Sequence, residues 1–276
     1  MALIALLDGT LVDPTQPIVR GDDDGVLRGD GVFDATLVVD GVPRDLDEHI
    51  DRLGESSRIL NLPEPDGDGY RRAVDAVAEA FDWQAEHEAV LRLFHTRGPA
   101  GGEPFGWVML APMTAKMRNQ RANGVKVLLL DRGFEGPSIA SQPWLLPGAK
   151  SLSYAINMAA ERHAAEQGAD DVVFHSPSGM LLEGPTSGLV VDLDGTLVTP
   201  PLEGILRSIT VEELLRKAPD AGLAVEVRHL HRDALAEARG AWLLSSGRRV
   251  ARITHVDGQP LPTSSLDGEL TALLGA

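Results

Sequence analysis

The sequence predicts a mixed α/β (α+β) fold in two units: a smaller N-terminal domain over residues 1–115, a loop at 116–122, and a larger C-terminal domain over 123–276. Three observations carry this expectation. Short β-branched runs alternate with segments whose apolar residues recur every three or four positions. Asp-Gly, Gly-Pro and Pro-Gly pairs punctuate the chain where strands must turn. The stretch from Met113 to Arg121, with Lys116, Arg118 and Arg121, reads as the connection between two cores.

In the first half, residues 3–7 and 10–12 read as a hairpin closed by Asp8-Gly9. Pro14, Pro17 and the acidic run Asp22-Asp23-Asp24 read as a solvated loop. Arg28-Gly29-Asp30-Gly31 leads into a strand over 32–39, which Asp40-Gly41 turns. A helix over 46–60 follows, with Leu46, Ile50, Leu53, Ile59 and Leu60 on its apolar face. A second helix covers about 69–81. Strands over 89–95 and 106–111 flank the glycine-rich turn Arg97-Gly98-Pro99-Ala100-Gly101-Gly102.

The second half opens with a strand over 125–130. A loop carrying Gln142-Pro143 and Pro147-Gly148 presents Lys150 before a helix in which Leu152, Ile156, Ala159 and His163 keep a 3.6-residue rhythm; Gly168 ends it. Residues 172–175 and 180–183 form a hairpin through Ser176-Pro177-Ser178-Gly179, so Glu183 arrives at a strand end. Residues 189–193 and 196–198 pair as strands, 204–207 form a helical turn, and Thr210-Val211-Glu212-Glu213 reads as a capping box opening a helix to Ala218. Strands over 224–230, 241–244 and 250–256 close the fold, the last two joined by Ser245-Ser246-Gly247-Arg248.

Composition narrows the function. Lys and Arg number 25 against 41 Asp and Glu, a formal charge of −16, which argues against nucleic acid or an anionic membrane as a partner. The absence of cysteine excludes disulfides, thiolate metal sites and cysteine nucleophiles, and no metal is expected. The opening MALIALLDGTLVDP turns polar too soon for a signal peptide or spanning helix, so a cytoplasmic location is expected.

A lysine before a helix and a glutamate ending a hairpin suit pyridoxal phosphate. A lysine that attacks a carbonyl near neutral pH must be partly desolvated, so that its amine sheds a proton. A carboxylate facing the pyridine nitrogen keeps the ring cationic and makes it an electron sink. Lys150 and Glu183 form the candidate pair. Either residue alone has the ordinary reading of a solvated surface charge.

Five separated blocks give the pair its context: Arg28-Gly29-Asp30-Gly31-Val32-Phe33, His49-Ile50-Asp51-Arg52-Leu53, Ala149-Lys150-Ser151-Leu152-Ser153-Tyr154 with Asn157, Glu183-Gly184, and Thr199-Pro200-Pro201-Leu202 followed by Ile209-Thr210. In this order they resemble the fold type IV pyridoxal phosphate enzymes. That group holds branched-chain and D-amino acid aminotransferases, aminodeoxychorismate lyases and R-selective amine transaminases. The resemblance implies a larger domain of mixed sheets forming a pseudo-barrel, and a homodimer with one cofactor per subunit. It makes Lys150 the Schiff-base lysine and proton shuttle, and Glu183 the partner of the ring nitrogen. Arg52 and the backbone N–H groups of Ile209 and Thr210 would hold the cofactor phosphate. Tyr154 would hydrogen-bond the phenolic oxygen, with Ser187, Ser246 and Gly247 completing the cofactor contacts. Gly247 stands where the family often has threonine, and Gly188 where it often has asparagine, which implies a slightly weaker phosphate grip.

For the substrate carboxylates the resemblance points to Arg28, Arg92, Arg97 and Arg248, together with Phe33; Arg28 would reach a neighbouring subunit. A transaminase acting on D-amino acids such as D-alanine or D-glutamate, and on primary amines, with 2-oxoglutarate as acceptor, is the expected activity. The alternative is an aminodeoxychorismate lyase releasing p-aminobenzoate and pyruvate. Such lyases tend to carry threonine two places after the Phe of the first block; here Thr36 comes one place late and faces the other side of the strand. The turn at 97–102 is nevertheless lyase-like. A remote alternative is a haloacid dehalogenase-like phosphatase, whose nucleophile motif Asp192-Leu193-Asp194-Gly195-Thr196 matches. Downstream only Lys217 and no GDxxxD-like segment follow.

Overall fold

A computed structural model describes residues 1–275, which divide into two compact units: Met1–Thr114 with Ala149–Tyr154, and the remainder. The first contains β1 (Leu3–Leu6), β2 (Leu11–Val12), α1 (Asp24–Arg28), β3 (Gly31–Val39), β4 (Val42–Pro43), α2 (Leu46–Ile59), α3 (Gly67–Ala80), β5 (Glu88–Thr96) and β6 (Phe105–Pro112). Its six strands form one antiparallel sheet in the order β2-β1-β6-β5-β3-β4.

Register decides what each face of this sheet carries. Phe33 lies opposite Phe94, and Phe94 opposite Trp107; Ala35 lies opposite Arg92, and Arg92 opposite Met109. Residues directly opposite share a face, so these six form one strip. Asp34, Thr36, Leu93 and Val108 occupy the other face. There α2 and α3 pack and bury Leu53, Tyr70, Val74 and Val77. Burying side chains of this size stabilises by about 1.5–3 kcal/mol each. The Tyr70 hydroxyl donates to the Phe94 carbonyl at 2.5 Å, which pins α3 to β5. The acidic run is more than a loop. Asp23 is buried, caps α1 by accepting from the Gly25 amide at 2.7 Å, and accepts from the Thr96 hydroxyl at 2.7 Å.

The second unit contains α4 (Ala115–Asn123), β7 (Val125–Asp131), α5 (Gly136–Ala140), α6 (Ala155–Glu166), β8 (Asp171–His175), β9 (Gly188–Leu193), β10 (Thr196–Thr199), α7 (Ile209–Lys217), β11 (Ala224–Val227), β12 (Gly240–Ser245), β13 (Arg249–Val256), β14 (Gln259–Pro260) and α8 (Asp267–Leu274). Its sheet runs β11-β10-β9-β12-β13-β7-β8, with β14 beside β13. The β10/β11, β13/β7 and β7/β8 pairs are parallel and the rest antiparallel, the mixed sheet expected of the larger domain. Alternate residues of the central strands feed separate cores. Val191, Leu243 and Ile253 pack with Val125 and Val173, whereas Val190, Trp242 and Leu244 pack against Leu214 of α7 and Leu270 of α8.

Four expectations need correction. The connection at 116–122 is helical, inside α4. The helix after Lys150 starts only at Ala155 and buries Ala160 and Ala164; Ile156, Ala159 and His163 are exposed, so the period was right and the phase one residue off. Residues 204–205 form bends and 206–207 are irregular, so no helical turn forms there. The cap of α7 is Ser208, whose hydroxyl accepts from the Val211 amide at 3.3 Å, which moves Thr210 into the first turn. Among the described residues no helix is long and apolar enough to cross a membrane.

Candidate active site

In the first unit the segment Ala149–Tyr154 runs beside the start of β3. The Phe33 amide donates to the Lys150 carbonyl at 3.0 Å, the Leu152 amide to the Gly31 carbonyl at 2.8 Å, and the Lys150 amide to the Ser56 hydroxyl of α2 at 3.1 Å. The Lys150 backbone is thereby fixed on both sides. Its side chain is 9% exposed, with Nζ 4.5 Å from the centre of the Phe33 ring and 5.4 Å from that of Tyr154. The two rings meet edge to face at 5.2 Å. Burial and the two rings keep water from much of the amine, as a Schiff-base lysine would need.

Arg92 shares the sheet face with Phe33. It is half-buried, burial lowers the pKa of its guanidinium, and no carboxylate among the described residues pairs with it. The other arginines assigned to substrate in this unit are placed differently. Arg97 donates to both Asp30 oxygens, at 2.5 and 3.1 Å, and to the carbonyls of Leu60 and Asn61. It locks the Arg28–Gly31 turn, which corrects its assignment as a carboxylate-binding residue. Arg28 is exposed and pairs with Asp24 one helical turn back.

Asp34 points away from Lys150 and is fully buried under α2. Arg52 donates to it twice, Nε to Oδ2 at 2.8 Å and Nη2 to Oδ1 at 2.7 Å, and Nδ1 of His49 lies 2.6 Å from Oδ1. Burial would push the Asp34 carboxyl up, but the Arg52 guanidinium and then His49 outweigh it and hold the pKa well below the usual carboxylate range. Arg52 is therefore aimed by Asp34 along one edge of its fork. The spacing of His49 and Arg52, three apart on one helix face, places both over Asp34, a partner that the sequence alone did not assign to them.

In the second unit the strand-like segment before Glu183 is held to β8: the Phe174 amide donates to the Glu183 carbonyl at 2.8 Å and the Leu182 amide to the Phe174 carbonyl at 2.9 Å. The Glu183 carboxylate receives the Leu206 amide with 3.3 Å to each oxygen. Asn157 of α6 donates to the Pro185 carbonyl at 2.6 Å and steadies the following turn. At the start of α7 the Ser208 cap serves Val211. The amides of Ile209 and Thr210 thus face out of the helix end, where free donors and the helix dipole favour an anion. The Thr210 hydroxyl lies 3.3 Å from that of Ser246, bringing the turn at Ser246-Gly247 to the same helix end.

Arg248 belongs to the protein interior, which corrects its assignment to substrate. It is 4% exposed; Nη2 lies 2.6 Å from Asp171 and donates to Ser187 at 2.7 Å, and Nη1 donates to Gln120 at 3.0 Å. Asp192 is likewise no nucleophile. It lies on β9 between two antiparallel neighbours, with its carboxylate taken by the Gly195 amide at 2.8 Å and the Ser264 hydroxyl at 2.5 Å. Asp194-Gly195 is a hairpin turn, as the left-handed φ of 54° and 88° shows.

These donor sets fit pyridoxal phosphate. A buried lysine against aromatic rings, a carboxylate oriented by a backbone amide, and a helix N-terminus with two outward amides beside two hydroxyls match an aldehyde, a pyridine nitrogen and a phosphate in turn.

Residues 31–256 match the family described as Amino-transferase class IV. The bifunctional aminodeoxychorismate lyase / D-amino acid transaminase of Mycobacterium tuberculosis is 38% identical over 99% of this chain and 98% of its own length. A hypothetical aminotransferase from the same organism, solved in a PLP-bound form and in an alpha-ketoglutarate and PMP bound form, superposes with TM-score 0.95 at 40% identity; the latter form covers 99% of this chain and 98% of that one. A fold IV-transaminase from Curtobacterium pusillum superposes with TM-score 0.92 at 38% identity, over 100% of both chains. The family match over residues 31–256 and these relatives show that the chain belongs to the class IV amino-transferases and is a pyridoxal phosphate enzyme of the fold type IV architecture.

Proposed function

We propose that this enzyme moves an amino group between a D-amino acid, such as D-alanine or D-glutamate, and a 2-oxo acid such as 2-oxoglutarate. The observation that carries the reading is Arg92. A half-buried guanidinium without a carboxylate partner, on the sheet face that also carries Phe33 beneath Lys150, is a seat for a substrate carboxylate. The names of the Mycobacterium relative and the alpha-ketoglutarate ligand of the solved neighbour support the substrate class.

Each residue has a defined task. Pyridoxal phosphate, when bound, supplies an electron sink that stabilises negative charge at the substrate α-carbon. Lys150 holds and moves the proton at that carbon through Nζ, and Phe33 and Tyr154 exclude water from the amine. Glu183, steadied by the Leu206 amide, keeps the pyridine nitrogen protonated. The Ile209 and Thr210 amides and the Thr210 and Ser246 hydroxyls hold the phosphate; the family resemblance adds Arg52 to it and Tyr154 to the phenolic oxygen. The protein is read as a cytoplasmic homodimer; the exposed apolar side chains Trp144 and Ile156 support an assembly that covers them.

The lyase reading draws support from the bifunctional relative. Against it, the Lys150 side of β3 offers Ala35, while the Thr36 hydroxyl lies on the opposite face and donates to the Arg44 carbonyl at 2.7 Å. Assays of D-alanine with 2-oxoglutarate, and of aminodeoxychorismate, separate the two. Amino transfer exceeding p-aminobenzoate release is the expected result, and fast release with negligible transfer would overturn the proposal.

A further inference from the structure

We propose that Arg248 is a positioning residue for the cofactor phosphate, acting through Ser187. The inference rests on reading the α7 N-terminus as the phosphate seat. An arginine side chain only donates, so Ser187 Oγ, 2.7 Å from Arg248 Nη2, must be the acceptor in that bond. The Ser187 proton therefore points away from Arg248, and among the described residues no acceptor takes it. Ser187 is 6% exposed, so its hydroxyl is a buried donor with its proton left to give.

That donor sits beside the phosphate seat. A Cβ on the next residue, Gly188, would lie 2.7 Å from Val211 Cγ2 and 3.2 Å from the Ser208 side chain, so the backbone here lies directly against the first turn of α7. Gly188 also pairs with Leu244 of β12, two residues before Ser246. Three donor-bearing segments therefore meet: the turn after Glu183, the end of β12 and the start of α7. Arg248 ties the first two. Its backbone carbonyl and that of Gly247 accept from Arg121, while its guanidinium crosses to Ser187, Asp171 and Gln120. A buried arginine–carboxylate pair contributes little net stability compared with an apolar replacement, and a role in fixing geometry accounts for its placement.

The test is the ratio of affinities of apoprotein for pyridoxal 5′-phosphate and for pyridoxal, which lacks the phosphate, measured by fluorescence titration. Arg248→Met and Ser187→Ala should each lower this ratio about tenfold, and the double variant should be no worse than the poorer single one. Arg248→Lys keeps a charge for Asp171 but gives up the fork; it should lower the ratio as well, and it decides the matter if Arg248→Met does not fold. A ratio within twofold of wild type in the folded Arg248 variants overturns the positioning role. So does an equal loss of both ligands, or a double variant whose loss is the product of the single losses. Thr210→Pro, which removes both the hydroxyl and the outward amide at a first-turn position where proline is tolerated, is the control for the underlying reading. If it leaves the ratio unchanged, the α7 seat is wrong; if it lowers the ratio while the Arg248 variants do not, only the role of Arg248 falls.

Discussion

Replacing Asp34 with asparagine removes one charge from the best-buried ionic group in the first unit while nearly preserving its shape. Both carboxylate oxygens now receive Arg52, at 2.7 and 2.8 Å, and His49 lies 2.6 Å from one of them. Asparagine offers one acceptor oxygen, turns an N–H group toward one of these donors, and removes the buried negative charge that faces the guanidinium. Breaking such a pair costs about 3–5 kcal/mol, and at about 2–4 °C per kcal/mol the melting point should fall by roughly 10 °C. The pH dependence has a definite sign. The folded pKa of Asp34 lies well below its unfolded value of about 3.9, so its contribution is complete above that value and is lost as pH falls through the folded pKa. Thermal melts of the two apoproteins should therefore differ fully at pH 7 and converge below about pH 4. Equal melting at pH 7, or a gap that widens in acid, would refute the reasoning.

Two further substitutions test the site directly. Arg92→Met should raise KM for the amino acid and the 2-oxo acid about 10- to 100-fold, the equivalent of one lost charge-assisted contact of about 1.5–3 kcal/mol; steady-state kinetics with an unchanged KM would remove Arg92 from the carboxylate seat. Glu183→Ala should still acquire the cofactor at Lys150 but lose most turnover, because the ring nitrogen is no longer held protonated; wild-type turnover would cancel the role given to that carboxylate.

Strands and turns were legible because hairpin chemistry is local. Asp8-Gly9, Asp40-Gly41 and Asp194-Gly195 each supply the left-handed backbone that a tight turn needs, and each closes a hairpin in the structure. The phase of α6 was not legible. Ala160 and Ala164 are buried because β8 and Leu182 pack against them, while the larger Ile156 faces outward. The cap of α7 was missed for a related reason: Ser208 and Thr210 are both good caps, and the contacts of the first turn chose between them. Among the arginines, sequence type alone could not separate roles. Arg97 and Arg248 are consumed by Asp30 and Asp171, residues distant in sequence, whereas Arg92 meets no acid among the described residues. Lys150 and Glu183 stood out through their order among five blocks, a signal that no single local window contains.

The most direct measurement is peptide mapping after the protein is supplied with pyridoxal 5′-phosphate and reduced with borohydride. The account predicts one stoichiometric phosphopyridoxyl label, on Lys150, and loss of that label when D-alanine is added before reduction. Label absent from Lys150, or spread over Lys116, Lys126 and Lys217, would contradict it.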